Sequence, residues 1–407
     1  MDEHPVESGI PLRRSAKVLA VVAFVVAVGT VMAVEPLRAH TAPPVADMPA
    51  GIKVPLGIPA DVVAAMIPVD NPMTPQKIEL GRELFFDKRL SDDRTVSCAT
   101  CHDPAIALTT ADPVSIGIRN QKTARNAPTV FNSMFNELQF WDGRAVSLEE
   151  QSKGPLTNPL EMGMKDHDAV VARVKSITEY APKFTAVFGS EGITIDTVAK
   201  AIAAFERTQL SGNAPFDRFM AGDAAAISAS AKRGWDLFNG KARCISCHAW
   251  NPSSPFFTDY KFHNVGVAAK DRNFTALARE ALRVLQSNKN LEATLDELAL
   301  REGTSELGRF LITRQPRDIG AFKTPTLRDI ELTAPYFHNG SEKTLLDAVN
   351  FYDKGGEPNP NLDGGIRKLS LTDAEKADLV EFLKTLTSDD VRGAMLNQKP
   401  QTREPAR

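Results

Sequence analysis

The sequence is poor in cysteine and has no excess of basic charge. It contains 4 cysteines in 407 residues, and its 48 lysines and arginines stand against 51 aspartates and glutamates. A net charge of −3 provides no basic surface for nucleic acid, so we expect no nucleic-acid partner. No stretch of alternating apolar and polar residues predicts β-strands. The pattern therefore favours a mostly α fold.

The four cysteines all lie in two copies of one motif. Cys-x-x-Cys-His is typical of covalent c-type haem attachment. Its thiols form thioether bonds to the haem vinyl groups, and its histidine becomes the proximal iron ligand. Alternatively, the four cysteines could form one zinc site or two redox-active dithiols. A histidine directly after both pairs favours two covalently bound haem c groups, held by Cys98, Cys101 and His102 and by Cys244, Cys247 and His248.

The N-terminal part of the sequence has the pattern of an export signal. Basic residues up to Lys17 precede an uncharged apolar stretch, 18–34. This layout predicts that 1–34 is a secretory signal peptide, with an uncleaved membrane anchor as the alternative. In either case we expect the body of the protein in the periplasm, secreted across the inner membrane, and the uncleaved anchor would tether it to that membrane. The proline-rich and alanine-rich stretch 35–70 is expected to be a linker.

A weak internal repeat divides the rest of the chain into two similar halves. The stretch 81–86 before the first motif is similar to 234–239 before the second, and both have the pattern of a helix that leads into a haem-binding loop. Each half also ends in a helix-like stretch, 197–207 in the first and 372–384 in the second. The expected fold is therefore mostly α, with two cytochrome c-like haem domains in tandem, at 71–212 and 213–390, and a tail at 391–407.

One segment of the second half, 273–306, stands apart from the repeat. Its leucines recur at helical spacing among many charged residues, which predicts an amphipathic helical insertion. We expect the insertion to pack on the second domain, and docking of a partner protein is the alternative.

Methionine is scarce where the second haem would need it. After Met220 the only methionine is Met395, in the tail. Coordination by histidine and methionine is therefore not expected at the second haem. Its sixth ligand would be His263, His338, Tyr352 or another tyrosine, or the position would be vacant.

A set of ordered motifs resembles those of the bacterial dihaem cytochrome c peroxidase/MauG family. The motifs are RNAPTVFN at 125–132, FWDGR at 140–144, EEQSKGPLTNPLEM at 149–162, KTPTLR at 323–328 and TAPYFHNG at 333–340. The resemblance extends over nearly all of the chain between the predicted linker and the tail. It implies a peroxidase that acts on H₂O₂ with two haem c groups.

The resemblance also implies roles for individual residues of the first half. The haem held by His102 would bind peroxide, and Gln151, Pro155 and Glu161 would line its distal pocket. Glu161 would take a proton from one oxygen of the peroxide and return it to the other. Gln151 would hold the peroxide or a water by hydrogen bonds. Without the resemblance, Glu161 would be interpreted as a solvated loop carboxylate.

A tryptophan and a calcium ion are implied between the two haems. Trp141 corresponds to the family's tryptophan that relays an electron between them, and a buried aromatic plug is the alternative. A structural Ca²⁺ would be bound by the side chain of Asn126 and by the backbone oxygens of Thr333 and Pro335, because oxygen ligands suit this hard cation. Ordinary turn structure is the alternative for these three residues.

Two departures from the family's pattern favour its MauG-like subgroup. In many members a distal histidine follows a Ser-Ile-Gly run and caps the first haem, whereas Ile118 follows that run here. Isoleucine cannot bind iron, so we expect an open peroxide site. The electron-transferring peroxidases have an axial methionine 14 residues after the position of His338, where this chain has Tyr352. An axial tyrosine would lower the reduction potential of the second haem.

The expected function is reduction of H₂O₂ to water with electrons from a protein donor, such as a small cytochrome c or a copper protein. The MauG-like alternative takes the electrons from residues of a partner protein, through a high-valent state shared by the two haems, and so modifies that protein. The remaining alternative is a dihaem electron-transfer cytochrome without catalysis.

Overall fold

The structure, a computed structural model, describes residues 48–49, 52–269, 272–288 and 291–396. The predicted signal peptide or anchor therefore lies outside the described residues. Within the described part of the chain, no helix is long and apolar enough to cross a membrane. The part of the expected linker that is described contains a short helix, in which Val63 is fully buried.

Helices dominate the structure. The described residues form fifteen α-helices: α1 Ala60–Ala65, α2 Pro75–Phe86, α3 Cys98–Cys101, α4 Leu148–Thr157, α5 His167–Ser176, α6 Tyr180–Phe188, α7 Ile195–Glu206, α8 Pro215–Met220, α9 Ala229–Asn239, α10 Phe274–Ser287, α11 Leu291–Leu300, α12 Phe310–Thr313, α13 Leu345–Lys354, α14 Asp373–Lys384 and α15 Asp389–Leu396. The strands found there, β1 Phe262–His263 and β2 Phe322–Lys323, form one short antiparallel pair. The mostly α class is confirmed.

The first half is built on the crossing of α2 and α7. A Cβ added to Gly81 of α2 would lie 1.9 Å from the carbonyl oxygen of Ala201 in α7, so only glycine allows this close approach. The residues that follow, Leu84 and Phe85, are fully buried and join Ile202 of α7 in one apolar cluster. The glycine thus brings two helices together over the first haem motif.

The second half repeats this crossing with α9 and α14. A Cβ added to Gly234 would lie 2.0 Å from the carbonyl oxygen of Asp378. Helix α14 begins with the predicted capping box, in which Thr372 Oγ1 accepts from the Glu375 N–H and a Glu375 carboxylate oxygen accepts from the Thr372 N–H. Phe382 of α14 is fully buried in the apolar cluster of this half. The tandem arrangement of two cytochrome c-like domains predicted from the repeat is confirmed.

The segment 273–306 forms α10, α11 and a short turn after them. Ala281 of α10 and Leu298 of α11 are fully buried, and they pack in one cluster with Phe322 of β2. Trp141 of the first half packs against the same cluster. The segment therefore contacts both halves of the molecule.

A hydrogen bond and an aromatic stack also join the two halves at their interface. The backbone N–H of Lys323 donates to the carbonyl oxygen of Trp141 over 2.8 Å. The rings of Phe135 and Phe256 stack with centroids 4.0 Å apart. These contacts place both Cys-x-x-Cys-His motifs around one interior space.

Candidate active site

Both haem motifs line one internal cavity of about 390 Å³. The cavity wall contains the four cysteines and the two motif histidines, and it also contains Glu161, Trp141 and Tyr352. None of the four cysteines, all in the described part of the chain, forms a disulfide. The structure therefore brings together the residues predicted for two haem groups and for the space between them.

In the first motif, one helical turn presents the cysteines and the histidine. Helix α3 consists of the four residues Cys98–Cys101, and His102 follows at its C-terminal end. The ring of His102 donates from Nδ1 to the Leu108 carbonyl oxygen over 3.2 Å. Burial lowers the pKa of His102, so the ring is neutral at physiological pH. A neutral imidazole held through Nδ1 leaves Nε2 as the iron ligand.

The second motif repeats this arrangement on a tighter turn. Residues Cys244–Ser246 form a 3₁₀ turn, and His248 donates from Nδ1 to the Phe257 carbonyl oxygen over 2.9 Å. Burial lowers the pKa of His248 and raises the pKa of the Cys244 thiol to about 12. Both histidines are thus neutral ligands fixed by a backbone carbonyl. This donor set fits two haem c groups.

A single zinc site built from the four thiols does not fit the structure. Among the described residues, the one group of three or more converging metal-ligand side chains consists of Cys247, Asp259 and His263. The two cysteine pairs belong to different halves and do not converge on one point. The alternative of a shared zinc ion is therefore excluded by the geometry.

Helix α4 carries two of the three predicted distal residues. It begins after Ser147, whose hydroxyl accepts from the Glu150 N–H. Gln151 and Pro155 lie on this helix and line the cavity. Proline at position 155 has no N–H to bond to the carbonyl of Gln151, four residues earlier.

Glu161 follows α4 and has an unusual environment for a carboxyl group. It lines the cavity, and its Oε2 is buried without a hydrogen-bond partner in the described part of the chain. Burial raises the pKa of Glu161 to about 7, although the nearby Arg144 guanidinium acts in the opposite direction. The buried Oε2 does not fit the alternative of a fully solvated carboxylate, and the role of Glu161 in proton transfer stays a prediction. At neutral pH this carboxyl can both accept and donate a proton.

Ile118 is packed into the apolar core of the first half. Its side chain has no exposed surface and belongs to the same cluster as Leu84 and Met162. The backbone N–H of Ile118 donates to the Glu161 carbonyl oxygen over 2.9 Å. The residue in the position of the family's capping histidine thus helps to hold the Glu161 backbone.

The three named candidates for the sixth ligand of the second haem differ in their partners. His263 is held at both ring nitrogens, by Asp363 Oδ2 at 2.7 Å and by Asp259 Oδ2 at 2.9 Å. His338 is bonded through Nε2 to Glu306 Oε2 at 2.9 Å and is stacked on a phenylalanine ring. Each histidine is thus engaged by carboxylate groups.

Tyr352 is placed differently from these histidines. It lies on α13, lines the cavity and is half-buried, and desolvation raises the pKa of its hydroxyl group. The neighbouring thiols of Cys247 and Cys244 act in the same direction. The structure therefore brings Tyr352 to the second Cys-x-x-Cys-His motif, as an axial ligand requires.

Trp141 lies in the wall that the two halves share. Its Nε1–H donates to the Asn126 carbonyl oxygen over 2.9 Å, and its ring meets the ring of His338 edge-on at 6.5 Å between centroids. Its own carbonyl oxygen accepts from Lys323, as described above. The indole is therefore held by a hydrogen bond within the first half, and the backbone of Trp141 is bonded to the second half.

The three residues predicted to bind calcium line the same cavity. Asn126 donates from Nδ2 to the Asp112 carbonyl oxygen over 3.0 Å, which leaves its Oδ1 as the ligand atom. The backbone oxygens of Thr333 and Pro335 accept no backbone hydrogen bond within the described part of the chain. Oxygen atoms of this kind fit a calcium ion. The calcium site formed by these three residues stays a prediction.

Three charged residues of the cavity wall were not identified from the sequence. Burial lowers the pKa of Lys323 to about 7 and raises the pKa of Glu206 to about 8. Arg144 also lines the cavity and forms ion pairs with Asp142 and Asp296. Arg144 belongs to the motif FWDGR and Lys323 to the motif KTPTLR. Membership of these motifs was the only sequence feature that could have indicated a place in the cavity wall.

Comparisons with known proteins identify the family of this chain. A family model described as "Di-haem cytochrome c peroxidase" matches residues 75–225. The cytochrome-c peroxidase IdrP1 of Denitromonas iodatirespirans is 37% identical over 324 residues, which cover 79% of this chain and 84% of that protein. The methylamine utilization protein MauG of Methylorubrum extorquens is 39% identical over 324 residues, which cover 79% of this chain and 81% of that protein.

Solved structures give the same result. A MauG-like protein associated with microbial copper homeostasis matches with a TM-score of 0.66 and 34% identity, covering 80% of this chain and 93% of that one. The diheme peroxidase BthA from Burkholderia thailandensis has the same fold, with a TM-score of 0.61 at 24% identity and coverage of 78% of this chain and 87% of that one. The chain therefore belongs to the di-haem cytochrome c peroxidase and MauG family, and it is a peroxidase with two haem c groups.

Proposed function

We propose that this chain reduces H₂O₂ at the iron held by His102, with Glu161 as the acid–base residue. Haem c, when bound through Cys98, Cys101 and His102, supplies an iron that takes part in the two-electron reduction of peroxide. The reaction consumes one H₂O₂, two protons and two electrons and forms two molecules of water. The observation that carries the proposal is the buried Oε2 of Glu161, which lies in the cavity that this motif lines and has no hydrogen-bond partner within the described residues.

The residues of the chain divide this work among them. Glu161 moves a proton between the two peroxide oxygens, because its pKa of about 7 makes both protonation states available at neutral pH. Gln151 offers an amide that can hold peroxide by hydrogen bonds. Pro155 contributes an apolar surface that keeps water from this side of the pocket. Ile118 offers no ligand to the iron, which leaves the peroxide position open.

The structural environment of Tyr352 supports a MauG-like variant of this function. Both histidine candidates for the second iron are engaged by carboxylates, and Tyr352 lines the cavity beside the second motif. A tyrosine ligand favours ferric iron, so the second haem would be a poor store of electrons. In this variant the two electrons come from residues of a partner protein, which is thereby oxidised, and not from a small cytochrome or copper protein.

Two further assignments belong to the same proposal. Trp141, fixed between the halves, would pass electrons from one haem to the other. A calcium ion bound by Asn126 Oδ1 and the backbone oxygens of Thr333 and Pro335 would hold the interface in place. The basic and apolar pattern of 1–34 supports a periplasmic location, with a membrane tether if that segment is not cleaved.

Substitution of Glu161 tests the acid–base assignment. Glu161→Gln keeps the shape of the side chain but cannot transfer the proton, so peroxide turnover should fall by about 10²-fold or more. Glu206→Gln is the matched control, because Glu206 is also buried, lines the same cavity and has an unpartnered Oε2. Turnover by Glu206→Gln should stay close to that of the unaltered protein. Equal turnover by Glu161→Gln and the unaltered protein would remove Glu161 from the mechanism.

Addition of one equivalent of H₂O₂ to the diferric protein separates the two sources of electrons. The MauG-like variant predicts spectral changes at both haems that persist in the absence of a donor. The ordinary peroxidase variant predicts rapid turnover with reduced cytochrome c, and only after one haem has been reduced. Fast turnover that requires prior reduction would therefore exclude the MauG-like variant while leaving the peroxidase function intact.

A further inference from the structure

The inserted segment 273–306 places the charged side chain of Asp296 close to the proposed peroxide site. Asp296 of α11 accepts from Arg144 Nε through Oδ1 over 2.7 Å. A Cβ added to Gly154, on the helix that carries Gln151, would lie 3.6 Å from Asp296 Oδ2. Helix α11 therefore lies over α4, close to the distal residues.

Arg144 is held rigidly by its surroundings. Its Nη1 donates to Asp142 Oδ1 at 3.1 Å and to Oδ2 at 3.3 Å. The flat face of its guanidinium lies over the Phe140 ring, with Cζ 3.5 Å from the centroid. Together with the bond to Asp296, these contacts leave the side chain 8% exposed and fixed in one position.

The charges in this group balance without Glu161. Asp142 is fully buried and is shared by two guanidinium groups, because Arg125 Nη1 also donates to its Oδ2 over 2.6 Å. Asp142 and Asp296 therefore neutralise Arg125 and Arg144. Glu161 is a third carboxyl group, and its Oε2 has no hydrogen-bond partner within the described residues.

We propose that Arg144 is a positioning residue of the peroxide site, which acts on Glu161 across the cavity and is kept there by Asp296 of the inserted helix. The proposal rests on the proposed role of Glu161. It gives the segment 273–306 a part in the reaction, in addition to its packing on the second domain.

The charged groups that act on Glu161 have opposite effects. The Arg144 guanidinium lowers the pKa of Glu161, whereas burial and the Asp296 carboxylate raise it. The other charges of the group, Arg125 and Asp142, compensate each other behind Arg144. Burial has the largest effect on the pKa of Glu161, and removal of the Arg144 guanidinium should raise that pKa further.

A pH titration of the Glu161 carboxyl in the haem-loaded protein tests this inference without peroxide. The carbonyl stretch of the protonated carboxyl is followed by infrared difference spectroscopy and assigned with Glu161→Gln. Arg144→Gln should raise the pKa of Glu161 by about one pH unit or more, and Arg144→Lys should restore part of the difference. The control is Arg119→Gln, which alters an exposed ion pair with Asp92 and should leave the titration unchanged.

A matched pair of substitutions tests the part played by Asp296. Asp296→Asn and Asp296→Ala remove the same charge, but only asparagine keeps an oxygen that can accept from Arg144 Nε. The alanine variant should therefore show the higher pKa of Glu161, because its guanidinium is no longer held. If Arg144→Gln does not fold, these two Asp296 variants still test whether the position of Arg144 affects the pKa of Glu161.

The outcomes separate this inference from the proposed function. An unchanged titration in Arg144→Gln, or equal pKa values in the two Asp296 variants, overturns the positioning role. If the titrations shift as expected while the pH profile of peroxide turnover does not follow them, the catalytic role of Glu161 fails and the influence of Arg144 on that carboxyl stands.

Discussion

The two haem sites are similar on the side of the attachment motif and different on the opposite side. In both, the motif histidine donates to a backbone carbonyl, over 3.2 Å in the first half and 2.9 Å in the second. Across the cavity, the first half presents Glu161 and residues of α4, whereas the second presents Tyr352 of α13. The repeat thus supplies two equivalent ways to hold a haem. The division of labour between the haems resides in the residues that face them.

The largest expected change makes the second site resemble that of an electron-transferring peroxidase. If Tyr352 binds the second iron as proposed, Tyr352→Met would replace an anionic oxygen ligand with a neutral thioether, which stabilises ferrous iron. The reduction potential of the second haem should rise by on the order of 100 mV or more. Spectroelectrochemical titration measures the potential of each haem separately.

Tyr260→Phe is the matched control for this experiment, since Tyr260 belongs to the same half but does not line the cavity. Its two potentials should equal those of the unaltered protein. An unchanged potential in Tyr352→Met would mean that Tyr352 is a packed tyrosine and that the two sites differ for another reason.

A second prediction concerns the feature that the halves share. Gly81→Ala places a methyl carbon 1.9 Å from the carbonyl oxygen of Ala201, and Gly234→Ala places one 2.0 Å from the carbonyl oxygen of Asp378. Each should destabilise the protein by about 1–3 kcal/mol, as overpacking of a tight contact does. Urea unfolding measures the loss.

Gly364→Ala provides the comparison, because a Cβ there would meet nothing within 4 Å. The midpoint of urea unfolding of Gly364→Ala should be close to that of the unaltered protein. If one of the two helix-crossing glycines tolerated alanine and the other did not, the crossings would not be equivalent.

The smallest expected effect is the pH dependence of the first site. With Glu161 as the base, kcat/KM for H₂O₂ should fall as the pH drops through about 7, the pKa of that carboxyl. Folding stability should change in the opposite sense. The folded protein retains this proton above the ordinary pKa of 4.5, so the contribution of Glu161 to stability is lost as the pH rises from 4.5 towards about 7.

Glu161→Gln should abolish both pH effects. The proton transfer would belong to another group if kcat/KM of the unaltered protein did not change with pH. The same would follow if kcat/KM of Glu161→Gln still fell as the pH dropped.

Much of this comparison could be predicted from the sequence, because local signals carry it. The two motifs, the glycine that precedes Leu-Phe in each half and the capping box at Thr372 all lie within short stretches. The contacts of His263 with Asp363 and of His338 with Glu306 could not be predicted, since these partners are distant in sequence, whereas Asp259 lies only four residues before His263. For the same reason, nothing in the pattern of 273–306 indicated that Asp296 reaches a residue 152 positions earlier.

The shared carboxylate of Asp142 has a consequence for how the protein is made. Its partner Arg125 donates through Nη2 to the Ser305 carbonyl oxygen, and Arg309 donates to the carbonyl oxygens of Asp142 and Gly143. During synthesis the first half emerges before these partners exist, and its buried charges then lack part of their hydrogen bonding. We therefore expect a chain truncated after 212 to be more sensitive to proteolysis than the first half of the complete protein. We therefore expect the first half to complete its folding together with the second half. The peroxide site would reach its final structure only after the second half has folded against the first.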